Sequence, residues 1–90
     1  MLIALRAEDK PGALPIRQEN RAAHLAYIEA TGCVAQAGPL LDNAGQMCGS
    51  LVILDVADMQ AAQDWAANDP YAKAGLFQSV TLDEWKRVIG

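Results

Sequence analysis

His24 is the only histidine in this sequence of 90 residues, and it is the first candidate for chemistry. Histidine is the side chain that gains and loses a proton near neutral pH, so it is the default residue for proton transfer. A helix is predicted around it, on which residues at steps of three or four share one face, here Arg17, Arg21, His24 and Ile28. This basic stripe either attracts an anion or is an ordinary solvated face, and the spacing fits both interpretations.

Asp69 is the second candidate, because its carboxylate is held at a corner of the chain. It precedes Pro70, and a proline moves the preceding residue away from helical backbone angles. The C-terminal end of a helix dipole disfavours a negative charge, so a neighbouring imidazolium would stabilise this carboxylate. The alternative is that Asp69 serves only as a cap or in an Asx turn.

Ser50 and Tyr71 are candidates for contacts to a ligand. Ser50 follows Gly49 at the start of a predicted strand, where its hydroxyl either binds a ligand or simply begins the sheet. No GxSxG motif surrounds Ser50, which argues against a serine hydrolase. Tyr71 and Trp65 lie near Asp69 in the chain and could line an aromatic pocket, although a tryptophan is more often a core anchor.

The elements that must position these side chains alternate between strand and helix. Apolar alternation predicts a first strand over residues 2–7, and a stretch without internal glycine or proline predicts a helix over residues 15–31 that ends at Gly32. Asp58 is a typical N-cap for a second helix. The remaining predictions are strands over residues 33–37, 49–56 and 76–82, a break at Gly38-Pro39, a loop at 42–46, a helix over 59–68, and a strand continuation or a turn over 83–89.

This order is the βαββαβ pattern of a ferredoxin-like α+β fold, in which two helices cover one face of a four-stranded antiparallel sheet. Residues 1–90 are predicted to form one domain, whose alanine-rich core buries little area. The uncovered face of the sheet therefore needs a partner. We expect a homodimer in which the two sheets pack face to face.

Charge and hydropathy argue against two classes of partner. Seven Lys and Arg against eleven Asp and Glu give a net charge of −4, opposite to that of a protein that binds a phosphate backbone. No segment approaches the ~20 apolar residues of a membrane span, and the apolar start is too short for a signal-peptide core. We therefore expect a cytoplasmic protein that binds neither nucleic acid nor membrane. Cys33 and Cys48 have no metal-ligand or disulfide spacing and are predicted to be buried reduced thiols without a metal.

Five segments together resemble the YCII-like (YciI-related) family. In chain order they are the start LIALRAEDK, the block RAAHL at residues 21–25, Ala37-Gly38-Pro39, Gly49-Ser50, and WAANDPY at residues 65–71. The resemblance covers nearly the whole chain and depends on the order and spacing of the segments. It implies a dimeric ferredoxin-like α+β barrel with His24 and Asp69 as an active-site pair. Ser50 and Arg21 match further polar positions of the family.

Two functions are compatible with these residues. In the first, the protein is a lyase or isomerase without metal or organic cofactor, in which Asp69 orients and charges His24, and His24 moves a proton on a small anionic, aromatic-derived substrate. Its substrate contacts would be Arg21, Ser50 and Tyr71. In the second, the protein is a non-catalytic module that binds a small ligand or forms an oligomeric scaffold. The sequence names no substrate.

Overall fold

The computed structural model describes residues 1–90, in which four strands and two long helices alternate. The elements are β1 (Leu2–Asp9), α1 (Leu14–Thr31), β2 (Val34–Leu41), β3 (Met47–Asp55), α2 (Met59–Asn68), the short α3 (Pro70–Lys73) and β4 (Phe77–Trp85). The strands form one antiparallel sheet in the order β2-β3-β1-β4. The predicted ferredoxin-like α+β fold is confirmed.

The two long helices begin and end where the sequence predicts. Pro15 lies in the first turn of α1, where its missing N–H costs nothing. Gly32 ends α1 in a left-handed conformation with φ of 65°, and its N–H donates to the Ile28 carbonyl. Asp58 caps α2, because its carboxylate accepts a hydrogen bond from the backbone N–H of Ala61.

Alternate residues of the two central strands, β1 and β3, face the helices and form the core together with α2. This core consists of Ile3, Leu5, Ala7, Val52, Leu54, Ala62 and Trp65. Trp65 is a core anchor rather than part of a pocket, since its indole N–H donates to Thr31 Oγ1 at 3.0 Å. The Tyr27 hydroxyl donates to the Trp65 carbonyl at 2.8 Å, which joins α1 to α2. These two hydrogen bonds connect α1 with α2 above the sheet.

Several element boundaries differ from the predicted ones. The predicted break at Gly38-Pro39 is wrong, because β2 continues to Leu41. As an edge strand, β2 pairs only with β3, so a proline without an N–H is tolerated there. Strand β1 extends to Asp9 and β4 extends to Trp85, so residues 83–85 continue the strand and residues 86–89 lie outside it. Pro70 not only follows α2 but also begins α3.

The cysteines are not buried as predicted. Cys33 is half-buried and Cys48 is exposed, and both are free thiols. Cys48 lies near the start of β3, where the pairing with β2 shifts register. This irregular pairing leaves the Cys48 side chain at the surface. As for membranes, none of the helices has the length and apolar character needed to span a bilayer.

Candidate active site

The fold brings His24 and Asp69 into direct contact, although 45 positions separate them in the chain. His24 Nδ1 lies 2.8 Å from Asp69 Oδ1, and the two residues are only 6% and 2% exposed. An ionised carboxylate can only accept hydrogen bonds, so Nδ1 carries the hydrogen and donates it to Asp69. Nε2 has no hydrogen-bond partner within the chain, so it is the ring nitrogen left free to contact a ligand.

Asp69 acts as a cap in addition to contacting His24. It ends α2 and begins α3 with extended backbone angles (φ −61°, ψ 128°), as expected before Pro70. The same oxygen that contacts His24 accepts the backbone N–H of Tyr71 at 3.0 Å. The backbone at this corner therefore fixes the carboxylate that orients the imidazole.

Tyr71 fixes the plane of the imidazole. Its ring is stacked on His24, with the ring centroids 4.0 Å apart and an angle of 15° between the planes. The Arg17 guanidinium lies 4.7 Å from the centroid of the same ring. Burial raises the pKa of Tyr71 above its ordinary value, although Arg17 and Arg21 act in the opposite direction. Tyr71 is therefore a neutral phenol at physiological pH.

A second buried pair lies beside the first. Arg17 donates to both carboxylate oxygens of Asp9, from Nε at 2.7 Å and from Nη2 at 2.9 Å. Arg17 Nη2 also donates to Ser50 Oγ at 2.8 Å. Burial alone would lower the pKa of Arg17, but the hydrogen bonds and charge of Asp9 outweigh burial and raise it. Arg17 is therefore a permanent cation whose charge Asp9 matches.

Asp9 is the site residue that sequence reasoning missed. The predicted first strand ends at residue 7, whereas β1 extends to Asp9. Asp9 has the same parity as the buried residues Ile3, Leu5 and Ala7, so continued alternation would have placed its side chain on the helix-covered face. The signal was present in the sequence, but a carboxylate is not expected on a buried face unless a cation pairs with it.

A cavity of about 170 Å³ lies between α1 and the sheet. The predicted residues Arg21, Ser50 and Tyr71 line it together with His24, and so does Arg17. Asp69 and Trp65 do not line it; Asp69 contacts His24 from outside the lining. The apolar part of the wall is Leu25, Ile28, Ala37, Pro39, Met47 and Val52.

The basic stripe of α1 faces this cavity and is not an ordinary solvated face. Arg17 and His24 are buried, with 3% and 6% exposure, while Arg21 is exposed at the rim. Arg21 makes no ion pair in the chain, so it is the cation available to an anion that enters. No three or more His, Cys, Asp or Glu side chains cluster as a metal site would require.

Comparison with known proteins gives consistent matches over nearly the full chain. The sequence pattern of the family described as YCII-related domain matches residues 1–86. Protein YciI of Escherichia coli O6:H1 is 36% identical over an aligned length of 97 residues, which covers 98% of this chain and 99% of that protein. An uncharacterized protein of Haemophilus influenzae is 35% identical with the same coverage.

One similar solved structure carries a ligand. It is 5-chloro-2-hydroxyhydroquinone dehydrochlorinase (TftG) from Burkholderia phenoliruptrix AC1100, in complex with 2,5-dihydroxybenzoquinone. The TM-score is 0.87 and the sequence identity 35%, and the match covers 96% of this chain and 94% of that chain.

Proposed function

This chain belongs to the YCII-related family, and on that premise we propose that it is a cofactor-independent enzyme of the lyase or isomerase type. His24 transfers a proton on a small anionic substrate held in the cavity. Asp69 orients and charges the imidazole. The substrate contacts are Arg21, Ser50 and Tyr71.

The observation that carries this proposal is the position of His24 between Asp69 and the cavity. Asp69 occupies Nδ1 at 2.8 Å, so Nε2 is the nitrogen left for a substrate, and His24 lines the cavity wall. When Nε2 accepts a proton, the imidazolium is stabilised by the adjacent carboxylate. The Tyr71 ring is stacked on the imidazole, which favours this orientation of the ring. These features are those of a general base that returns the proton as a general acid.

The size and charge of the cavity limit the substrate. Its volume of about 170 Å³ is similar to the roughly 150 Å³ engineered cavity of another protein that binds benzene, so it holds one six-membered ring with few substituents. The exposed Arg21 favours a negative charge on that ring. The relative TftG acts on a chlorinated hydroxyhydroquinone and binds 2,5-dihydroxybenzoquinone, which are ligands of this size. The proposed substrate is therefore an acidic, aromatic-derived ring compound.

The main alternative is a module that binds such a ligand without converting it. It is favoured by the second role of Asp69, whose Oδ1 also caps α3 through the N–H of Tyr71. In that case the contact between His24 and Asp69 shapes the pocket and performs no proton transfer.

The protein is proposed to work as a homodimer. Leu51 alternates with the core residue Val52 and therefore faces the side of the sheet away from the helices, where it is 42% exposed. Trp85 of β4 is 38% exposed. Packing the sheets of two copies face to face would bury this apolar surface. Light scattering at low micromolar concentration tests this, and a folded monomer would contradict it.

The function is tested by measuring chloride release from 5-chloro-2-hydroxyhydroquinone, together with thermal-shift binding of small ring acids and hydroxyquinones. We expect catalysis by the wild-type protein and a loss in Asp69→Asn. The matched control is Asp58→Asn, because Asp58 also caps a helix through its carboxylate but is exposed and does not contact His24. Asparagine is as good an N-cap as aspartate, so the control should keep full activity.

Two outcomes would contradict the proposal. If ring acids stabilise the protein but none is converted or exchanges a proton, the ligand-binding module is the better account. If Asp58→Asn and Asp69→Asn reduce the rate equally, the effect of Asp69 is that of a cap.

A further inference from the structure

Ser50 is a buried hydroxyl whose hydrogen has no acceptor in the chain. It is 4% exposed and lines the cavity. Its Oγ accepts a hydrogen bond from Arg17 Nη2 at 2.8 Å, which is the only hydrogen bond of this side chain. A guanidinium can only donate, so this contact uses the oxygen of Ser50 and leaves its hydrogen unused. A buried donor of this kind is free to bond to an acceptor that enters the cavity.

The charge of Arg17 is matched within the chain, so Arg17 brings no free positive charge to the cavity. Its two hydrogen bonds to Asp9 form a closed fork, and both side chains are almost fully buried, with 3% and 4% exposure. The negative charge of Asp9 therefore cancels the charge of Arg17 before a ligand arrives. What Arg17 contributes to the cavity is the direction of the Ser50 hydroxyl.

The backbone places Ser50 with equal rigidity. Gly49 approaches β1 so closely that a Cβ at this position would collide with the Ala7 carbonyl oxygen. Ser50 pairs with Ala7 in the neighbouring register position, in the middle of the sheet. The sheet therefore fixes the backbone of Ser50, and the hydrogen bond from Arg17 favours one position of its hydroxyl oxygen.

From this geometry we propose that Ser50 is the hydrogen-bond donor to an oxyanion of the substrate, and that Arg17 with Asp9 is the pair that positions it. The inference deepens the proposed function and depends on it for the origin of the charge. When His24 Nε2 takes a proton from a ring carbon next to a carbonyl, the C–H electron pair forms a C=C bond. The carbonyl π pair then moves to oxygen, and Ser50 donates to that enolate or phenolate oxygen. The substrate class is a ring with an ionisable oxygen.

The test uses 4-nitrophenol as a probe, because it is a single ring whose absorption reports the ionisation of its oxygen. Bound to the wild-type protein, it should ionise at a lower pH than in free solution. In Ser50→Ala this shift should shrink, and the phenolate should bind roughly 10- to 100-fold more weakly, as expected for a lost hydrogen bond to a charged group. Ser50→Thr keeps the hydroxyl and should restore both readings.

Two controls separate the oxygen contact from general damage to the site. The probe 4-nitrotoluene has a methyl group in place of the oxygen, so its affinity should be the same for wild type and Ser50→Ala. Ser79→Ala removes an exposed hydroxyl of β4 outside the cavity and should leave every reading unchanged.

The positioning role of Arg17 is tested by Arg17→Lys, which keeps a cation for Asp9 but loses the planar fork that also reaches Ser50. It should weaken phenolate binding in the wild-type background and have no further effect in Ser50→Ala, because it acts through that hydroxyl. An equal effect in both backgrounds would mean that Arg17 only holds the fold together, and would overturn this part of the inference.

The outcomes distinguish the inference from the proposed function. If His24→Asn abolishes turnover while Ser50→Ala leaves probe ionisation unchanged, the enzyme stands and the Ser50 assignment fails. If Ser50→Ala has the expected effect but no substrate is converted, the oxyanion site stands and the enzyme does not. A wild-type protein that binds 4-nitrotoluene and 4-nitrophenolate equally overturns the inference.

Discussion

Two buried pairs of a cation-forming side chain and a carboxylate lie beside the cavity, and they differ in what each leaves free. Arg17 and Asp9 satisfy each other through two hydrogen bonds, and the third contact of Arg17 goes to Ser50. His24 and Asp69 share one hydrogen bond, and the second ring nitrogen of His24 has no partner in the chain. Tyr71 stands against both, stacked on His24 and in contact with the Arg17 guanidinium.

In the proposed function, this difference separates a pair that supports the site from a pair that transfers a proton. A guanidinium keeps its proton at every physiological pH, so the Arg17 pair can orient its neighbours but cannot exchange a proton. An imidazole can gain and lose one, and the fixed hydrogen at Nδ1 directs that exchange to Nε2. Mutations in the Arg17 and Asp9 pair should therefore mainly lower the free energy of unfolding. Mutations in the His24 and Asp69 pair should mainly lower the catalytic rate.

The largest effect is expected for Asp9→Ala. It leaves the Arg17 guanidinium buried and unpaired, which should lower the free energy of unfolding by about 3–5 kcal/mol. Urea denaturation followed by circular dichroism measures this change. The double variant Asp9→Asn/Arg17→Gln removes both charges and should recover much of the loss. A change below about 1 kcal/mol in Asp9→Ala would place this pair among ordinary surface ion pairs.

His24→Asn should have the largest effect on rate. Asparagine can still donate to Asp69 but cannot accept a proton, so catalysis should fall by about 10²–10⁴-fold, measured by chloride release or by proton exchange of a ring acid. The free energy of unfolding should fall by less than in Asp9→Ala. If His24→Asn strongly lowers the free energy of unfolding while the remaining folded protein keeps its rate, the catalytic role of the His24 pair is contradicted.

Gly49→Ala should have an intermediate effect on stability. The added Cβ meets the Ala7 carbonyl, so β1 and β3 must separate, at a cost of about 1–3 kcal/mol. Gly38→Ala is the matched control on the neighbouring strand, since a Cβ at Gly38 meets no atom within 4 Å. Thermal unfolding of the two variants gives the comparison. Equal melting temperatures would show that the sheet accommodates the methyl group at Gly49.

The smallest effect concerns alkaline pH. Burial raises the pKa of Tyr71, and burial together with the negative charge of Asp69 raises the pKa of Tyr27. The unfolded chain loses these protons from about pH 10, while the folded chain still holds them. Their contribution to stability is therefore complete below that pH and is lost as pH rises through the folded-state values.

Phenolate absorbance in the near ultraviolet should thus show both tyrosines, the only two in the chain, ionising above their ordinary value. Tyr71→Phe keeps the ring against His24 and should reduce the alkaline loss of stability. A titration in which one tyrosine ionises near pH 10 in the folded protein would contradict the burial described here.

Local features of the sequence determined the elements and the candidate residues. Gly32 ends α1, Asp58 begins α2, and Pro70 holds Asp69 at a corner, because each acts through its own backbone angles or a hydrogen bond a few residues away. His24 and Asp69 were candidates by residue type. Their pairing was implied by the family resemblance, and the structure places them in contact.

Contacts between distant elements were decided only by the tertiary structure. The spacing of the α1 stripe fitted both a solvated face and a binding face, and packing against the sheet buried Arg17 and His24. Strand β2 continues through Gly38-Pro39 because it pairs with β3 there, and an edge strand tolerates a missing N–H. The contact of Arg17 with Asp9 and Ser50 joins α1 to two strands, and Ser50 lies 33 positions away in the chain. A buried carboxylate such as Asp9 is stable only when its cation is in place, and that condition belongs to the assembled fold and not to any local segment.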